Sequence, residues 1–385
     1  MKISERNLYT VVTAEGVSLQ MFFQLCCMNF HVITWDVSRV LLDLGIIEIR
    51  YYSLLFAFGF VLGYFIMKRI FKEENVPLEQ LDTLLTYVVI ATIIGARLGH
   101  VFFYQWDYYS QHPEEILMVW EGGLASHGAA IAIIMALIIF SKKVSKRSFF
   151  WIIDRVVITV ALGGSFIRLG NLMNSEIYGS PSNSESAFVY VSPVRDIFER
   201  FFGNEVQEIT FKKTDEVVKT DSLNMPVYEV KMKIDPRVDG AQVASLVSNR
   251  LLPYLKMIDA DDQNLVPSTD GSPEVIQEAN STFVKFRLLA IPRIPSQIIE
   301  AVAYFLIFLI LWGLFFYTKF RYQEGFLFGA FLVLVFGFRF VVEFFKANQV
   351  AFEDNLALNM GQFLSIPLVI AGLASIVYSF VKKKA

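Results

Sequence analysis

The chain alternates between long apolar runs and short polar stretches. Seven runs approach the ~20 mostly apolar residues that a helix needs to cross a bilayer. They cover residues 51–69, 83–104, 122–141, 151–170, 298–317, 324–344 and 361–381. One long segment, 180–295, breaks this pattern and is polar. Within it, Val227–Ile234 and Thr282–Leu289 alternate apolar and polar positions as strands do. Between them, Ala241–Ile258 has the spacing of an amphipathic helix. The pattern predicts a membrane all-α fold, a polytopic bundle of about seven transmembrane helices with an inserted α+β domain of typical small-domain size. The expected boundaries are a leader over 1–34, helices one to four in 35–179, the insert in 180–295, and helices five to seven in 296–385.

Basic residues orient the bundle, because short cytoplasmic loops are enriched in Lys and Arg. Lys68, Arg69 and Lys72 follow the first run, and Lys142, Lys143, Lys146 and Arg147 follow the third. Lys319 and Arg321 follow the fifth, and Lys382, Lys383 and Lys384 follow the last. The loop 105–119 has neither Lys nor Arg. If the runs alternate in direction, every basic cluster falls on one side. That side is the expected cytoplasmic face, with the N-terminal part and the insert outside and the C-terminus inside.

Composition sharpens this picture. Hydrophobic residues make up 55% of the 385 and charged residues only 18%, below the quarter usual in soluble proteins. A net charge of −3 gives no reason to expect nucleic acid as a partner. Cys26 and Cys27 are adjacent and imply no disulfide framework. His31, His100, His112 and His127 lack metal-site spacing, so no metal is expected. Residues 1–27 read as a leader or a mis-assigned start before Met28, and the two cysteines then carry no function. The absence of an internal repeat counts against common transporter folds.

The informative residues are polar groups inside apolar runs. An Arg at the centre of a spanning helix costs ~2.5–3.5 kcal/mol on insertion scales, so each one needs a reason. The topology places Tyr52, Arg97, His100, Tyr104, His127, Arg168, Asn171, Arg339 and Glu343 at the outer ends of five different helices. Arg168 and Asn171 share a helix face, and Arg339 and Glu343 are spaced to pair. One such Arg is most simply structural, or snorkels to the headgroups. Three Arg and one His at one depth favour a site for an anionic headgroup. Gly95 and Gly99 form a small-residue stripe for close helix packing, and Gly163 and Gly164 are read the same way. Asp154 and Arg155, at the opposite end, read as an interfacial or structural pair.

At these residues the sequence resembles the prolipoprotein diacylglyceryl transferase family. Arg168-Leu-Gly-Asn-Leu-Met-Asn-Ser-Glu-Ile-Tyr-Gly179 resembles the family signature R-x-G-N-x-x-N-x-E-x-x-G. GGLASHGA around His127, GARLGHVFFY at 95–104, FRFVVEFF at 338–345 and MGQFLSIPLVIAG at 360–372 are similar to further family segments. The likeness covers most of 35–180 and 293–381. Three features depart from it. The family's HP-x-Q-x-Y-E segment reads Ile294-Pro-Ser-Gln-Ile-Ile-Glu300, so Ile replaces both the His and the Tyr. The I-R-W-Y-G motif reads Ile49-Arg-Tyr-Tyr-Ser53, and the insert is longer than the family leads one to expect.

The resemblance implies transfer of a diacylglyceryl group from phosphatidylglycerol to the thiol of a lipobox cysteine in a preprolipoprotein signal peptide, in the inner membrane of a bacterium. It implies His127, Arg168 and Arg339 as catalytic residues. Substrate binding would fall to Arg168, Asn171, Asn174, Glu176, Gly179, Arg97, Tyr52 and Glu343. The substrate supplies the nucleophile, so no enzyme Ser or Cys is required, and neither metal nor organic cofactor is implied. An unperturbed His titrates near ~6.5 and suits removal of a thiol proton. Arg forks match phosphate oxygens, with Arg168 the first choice for the phosphate. Two rivals are a transporter for an anionic lipid or metabolite and a relative that binds the lipid without transfer. The transporter predicts polar groups through the inner half of the spans, yet Phe56–Ile66 and Ile131–Ile139 are nearly all apolar.

Overall fold

The computed structural model describes residues 32–45, 48–119, 122–258, 263–346 and 358–382. The leader 1–27, with Cys26 and Cys27, lies outside the described residues. Two compact units are present. Of the described residues, one holds 32–36 with those of Ser180–Ile294, and the other holds those of Val37–Gly179 with those from Pro295 to Lys382.

Four long helices open the second unit: α1 (Tyr51–Glu73), α2 (Leu78–Tyr104), α3 (Ser126–Phe140) and α4 (Phe149–Met173). The first unit supplies α5 (Ser192–Phe202), α6 (Gly240–Leu246) and α7 (Leu252–Met257). The bundle resumes with α8 (Ser296–Tyr317), α9 (Phe326–Val342) and α10 (Met360–Lys382). Among the described residues, seven helices are long and apolar enough to cross a membrane, with α3 and α9 counted through Ser145 and Phe345.

Helix α4 is the centre of the bundle, packing on α1, α8 and α9. Its sequence suits that place, since Ile152, Ile153, Val156, Val157, Ile158, Ala161 and Leu162 are all buried. Peripheral helices turn aliphatic faces outward, as at Ile131, Met135, Ile310 and Val377, which fits a hydrocarbon surrounding. Helices α2 and α3 pack closely because Gly95 and Gly99 face Gly128. A Cβ on Gly99 would stand 2.7 Å from the Gly128 Cα, too close for any side chain. The two glycines of α4 behave differently. A Cβ on Gly163 would meet nothing within 4 Å, whereas one on Gly164 would stand 3.2 Å from the Tyr304 ring.

At the far end of α4, Asp154 and Arg155 are buried but do not bond to each other, contrary to the paired reading. Asp154 accepts from Gly325 N at 2.7 Å and Phe328 N at 2.8 Å, capping α9 from another helix. Arg155 donates to Glu74 at the end of α1 (Nε, 3.0 Å) and to the Arg321 carbonyl (Nη2, 3.1 Å). Each charge is satisfied by a different helix end, as a buried charge must be.

In the first unit, β5 (Val206–Lys219), β6 (Asn224–Ile234) and β9 (Ser281–Ala290) run antiparallel in the order β5-β6-β9. The strands β7 (Leu265–Pro267) and β8 (Glu274–Glu278) share the remaining side of β9, pairing with opposite ends of it. Tyr228, Val230, Met232 and Ile234 alternate inward on β6, as do Val284, Phe286, Leu288 and Ala290 on β9. Val243, Val247, Leu251 and Leu255, four apart, bring the α6–α7 segment onto that face, and Val194, Phe198 and Phe202 do the same for α5. Outside this sheet, β1 (Ile33–Trp35) pairs in parallel with β4 (Phe188–Tyr190), so residues 33–36 belong with the insert. In the bundle unit, β2 (Val40–Asp43) and β3 (Glu48–Arg50) form a short antiparallel ribbon before α1.

Candidate active site

The signature residues form the C-terminal turn of α4 and the chain just beyond it. Asn174 N donates to the Gly170 carbonyl, Ser175 N to Leu172 and Glu176 N to Asn171, each at 3.0 Å. The chain then leaves the helix through two residues of positive φ, Ser175 at 53° and Ile177 at 57°. A β-branched residue rarely adopts that region, and such strain costs of order 1–3 kcal/mol. The start of α8 holds the strained turn. Ser296 Oγ donates to the Ile177 carbonyl at 3.0 Å, and Gln297 Nε2 donates to the Glu176 carbonyl at 2.8 Å. The IPSQIIE segment therefore clamps the signature turn. Its retained Gln297 and Glu300 are fully buried, while Ile294 and Ile299 are only partly buried.

Arg168 lies at the head of an ion-paired chain. Its Nε is 2.9 Å from Glu300 Oε2, and Glu300 Oε1 is 2.8 Å from Lys346 Nζ. Lys346 Nζ lies 3.4 Å from Glu343 Oε1, which is 3.5 Å from Arg339 Nε. Three cations and two carboxylates thus alternate, drawn from α4, α8 and the end of α9. Tyr304 donates its hydroxyl to Glu300 at 3.4 Å, and Asn359 Nδ2 donates to Glu343 Oε2 at 3.3 Å. Exposure varies along the chain: the Glu300 side chain is 0% exposed, Arg168 13% and Arg339 36%. Nearby, Arg168 Nη1 donates to Asn171 Oδ1 at 3.3 Å, and Asn171 Nδ2 donates to Glu176 Oε1 at 2.8 Å. Asn174 Nδ2 reaches the same oxygen at 3.3 Å. Tyr52 lies within electrostatic reach of Glu176 and Arg168, and its ring lies against Gly170. Gly179 pairs its backbone with Lys346.

Arg168, Asn171, Asn174, Glu176, Gly179, Arg339, Glu343 and Tyr52 therefore gather at one end of the bundle. Sequence reasoning did not single out Glu300, Tyr304, Gln297 or Lys346 as site residues. Lys346 carried a signal, since it follows Arg339 and Glu343 at i+7 and i+3 on one helical face.

His127 belongs to a second group at the α2–α3 junction. Its ring stands edge-on to Phe103 at 4.8 Å and beside Tyr104 at 5.6 Å. His127 Nε2 is buried and has no hydrogen-bond partner among the described residues. His100 also stacks on Tyr104, at 5.9 Å, and its Nε2 lies 3.1 Å from Gln105 Oε1. Arg97 is 2% exposed and serves the loop that follows α2. It donates to the carbonyls of Glu115 (2.6 Å), Ile116 (2.8 Å) and Gly122 (2.7 Å), with its guanidinium over the Tyr109 ring at 4.9 Å. The GG of the His127 segment has a local cause. Gly122 and Gly123 have φ of 92° and 68°, and a Cβ on Gly123 would stand 2.6 Å from the His100 ring. No bond between described residues joins His127 to the Arg168 chain. Both lie toward the same end of the bundle, because α3 and α4 are joined by a short turn at the other end.

A helical bundle with a buried network of ionisable groups at one end defines a polytopic membrane protein with a polar site set into apolar surroundings. The prolipoprotein diacylglyceryl transferase profile matches residues 39–378, and the chain belongs to that family of transferases. A phosphatidylglycerol–prolipoprotein diacylglyceryl transferase of Tolumonas auensis is 36% identical over 351 residues, covering 91% of this chain and 98% of that protein. Proteins of the same name from Chloroherpeton thalassium and Bacteroides fragilis are 32% and 29% identical, covering 90% and 92% of this chain and 94% and 97% of their own lengths.

Proposed function

We propose that the chain transfers the diacylglyceryl group of phosphatidylglycerol to the lipobox cysteine of a prolipoprotein, at the outer face of a bacterial inner membrane. The observation that carries this reading is the alternating chain of Arg168, Glu300, Lys346, Glu343 and Arg339 at one end of an apolar bundle. Preorganised cations in a low-dielectric site stabilise a leaving group that gains negative charge. In the reaction, the cysteine sulfur forms a bond to the diacylglyceryl carbon that bore the phosphate ester. That C–O bond breaks, glycerol phosphate leaves with the electron pair, and the thiol proton passes to a base.

Sequence suggests Arg168 before Arg339 for the phosphate, whereas the greater exposure of Arg339 supports the opposite assignment. Arg339 is the more open, and its two Nη groups have no bond among the described residues, so it is assigned the phosphate. Arg168, locked by Glu300 and Asn171, shapes the pocket and supplies field. His127 is assigned the thiol proton because its buried Nε2 has no hydrogen-bond partner among the described residues. Asn171, Asn174, Glu176 and Tyr52 offer hydrogen bonds for headgroup hydroxyls. Arg97 is a positioning residue, fixing the loop that presents His127.

The test is incubation of purified protein with labelled phosphatidylglycerol and a lipobox peptide. Thioether product and released glycerol phosphate are expected from wild type. Loss of a charge-stabilising group costs about 10²–10³ in rate and loss of a general base about 10²–10⁴, so Arg339→Ala and His127→Ala should each fall by at least about 10². Unchanged product formation in both variants would remove this mechanism. Lipid binding without product in wild type would favour the non-transferring relative.

A further inference from the structure

Near the opposite end of α1, Phe65, Lys68, Arg69 and Lys72 follow i, i+3, i+4 and i+7 spacing and share one helix face. With Glu73 they line a groove of about 470 Å³. We propose that this groove is a second lipid site, which binds the phosphodiester of an anionic phospholipid in the leaflet away from the Arg168 cluster. Arg69 and Tyr52 are about 25 Å apart along α1 at 1.5 Å rise per residue, so the two sites serve different leaflets.

Three observations carry the proposal. First, the cations are uncompensated. Among the described residues no carboxylate lies within ion-pair distance of Lys68, Arg69 or Lys72, and the one acid in the groove, Glu73, is held by Arg321 at 3.2 Å. Not every basic residue at this end is left so, since Lys382 has Glu324 at 2.8 Å and Arg155 has Glu74. Second, Arg69 is oriented by α8. Its guanidinium lies 5.4 Å from the Trp312 ring centre and 5.1 Å from that of Phe316, and ring contacts of this kind use none of its N–H donors, which a phosphate could then accept from. Third, the groove has an apolar side. Phe65 is exposed one turn toward the bundle centre, where an acyl chain would lie. A soluble phosphate would meet the cations but gain nothing from Phe65, so the occupant is a lipid.

Trp312 reports on the groove, and the proposal does not depend on the transferase reading. Full-length protein is reconstituted in phosphatidylcholine vesicles containing either brominated phosphatidylserine or brominated phosphatidylcholine. The difference between wild type and Trp312→Phe isolates quenching at Trp312. Stronger quenching by the anionic lipid is expected in wild type. Each basic residue near an anionic surface contributes about a fivefold preference, so Lys68→Gln/Arg69→Gln/Lys72→Gln should lose the preference by about tenfold or more. Arg168→Ala should keep it, which separates this site from the transferase site. A cooperative thermal melt in detergent matching that of wild type confirms the fold of the triple variant, and if that variant does not fold, Lys68→Gln alone should lose about fivefold. Equal quenching by both lipids in wild type, an unchanged preference in the folded variants, or relief of quenching by millimolar inorganic phosphate would each overturn the proposal.

Discussion

Glu300 is completely buried and touches two cations, Arg168 at 2.9 Å and Lys346 at 2.8 Å. Removing one partner of a buried ion pair strands the other and costs about 3–5 kcal/mol, whereas neutralising both is far milder. Lys346→Met is therefore expected to lower the unfolding temperature sharply in detergent and to reduce transfer, because the field holding Arg168 changes. Lys346→Met/Glu343→Gln, which leaves Arg168 and Glu300 paired, should recover much of the stability but not the activity. A Lys346→Met protein that melts like wild type would show that Glu300 does not rely on this cation. The limits of legibility sit at the same residues. Arg168, Asn171, Arg339 and Glu343 stand out in the sequence because an ionisable or amide group inside an apolar run demands an explanation. Lys346 lies just past such a run, where a basic residue is an ordinary flank, so only its spacing from Arg339 and Glu343 marks it. Arg97 also stood out, but its partners are backbone carbonyls, which leave no mark in a sequence.

Between elements, close approach of α2 and α3 sets where His127 stands, because Gly128 is its neighbour. A Cβ on Gly128 would stand 2.6 Å from the Gly99 Cα and would also run into the Gly95 carbonyl. Backbone cannot give way as a side chain can, and overpacking of this kind costs typically about 1–3 kcal/mol. Gly128→Ala should therefore destabilise the bundle and depress transfer, while Gly163→Ala, with open space at its Cβ, should change neither. Thermal unfolding and the peptide assay on both variants check this, and equal behaviour of the two would refute the packing argument. The stripe at Gly95 and Gly99 was legible from spacing alone; which α4 glycine is tightly packed was not, since that depends on what faces it. The seven spans were legible because length and hydropathy bound them directly. Strands β6 and β9 were legible because one face of each is buried, giving clean alternation. Strand β5 was not, because it is an edge strand with most residues exposed, and no buried face imposes a pattern.

For the whole molecule, orientation decides whether the candidate site can meet an exported substrate. The α2–α3 loop, at the end where Arg168 and His127 lie, carries Glu114 and Glu115 but no Lys or Arg through residue 119. The other end carries Lys68, Arg69, Lys72, Lys142, Lys143, Lys146, Arg147, Lys319 and Arg321. Basic residues next to a span are retained on the cytoplasmic side, where anionic lipid adds about 1 kcal/mol for each. The site end should therefore face outward. Single cysteines test this in a chain whose Cys26 and Cys27 are replaced by Ser. Glu114→Cys and Glu185→Cys, both at exposed positions, should react with a membrane-impermeant maleimide in intact spheroplasts. Lys143→Cys and Lys319→Cys, also exposed, should react only after permeabilisation. The reverse pattern would put the ionised cluster in the cytoplasm, where an exported prolipoprotein does not present its cysteine, and the proposed reaction would fail on geography even with every side chain correctly placed.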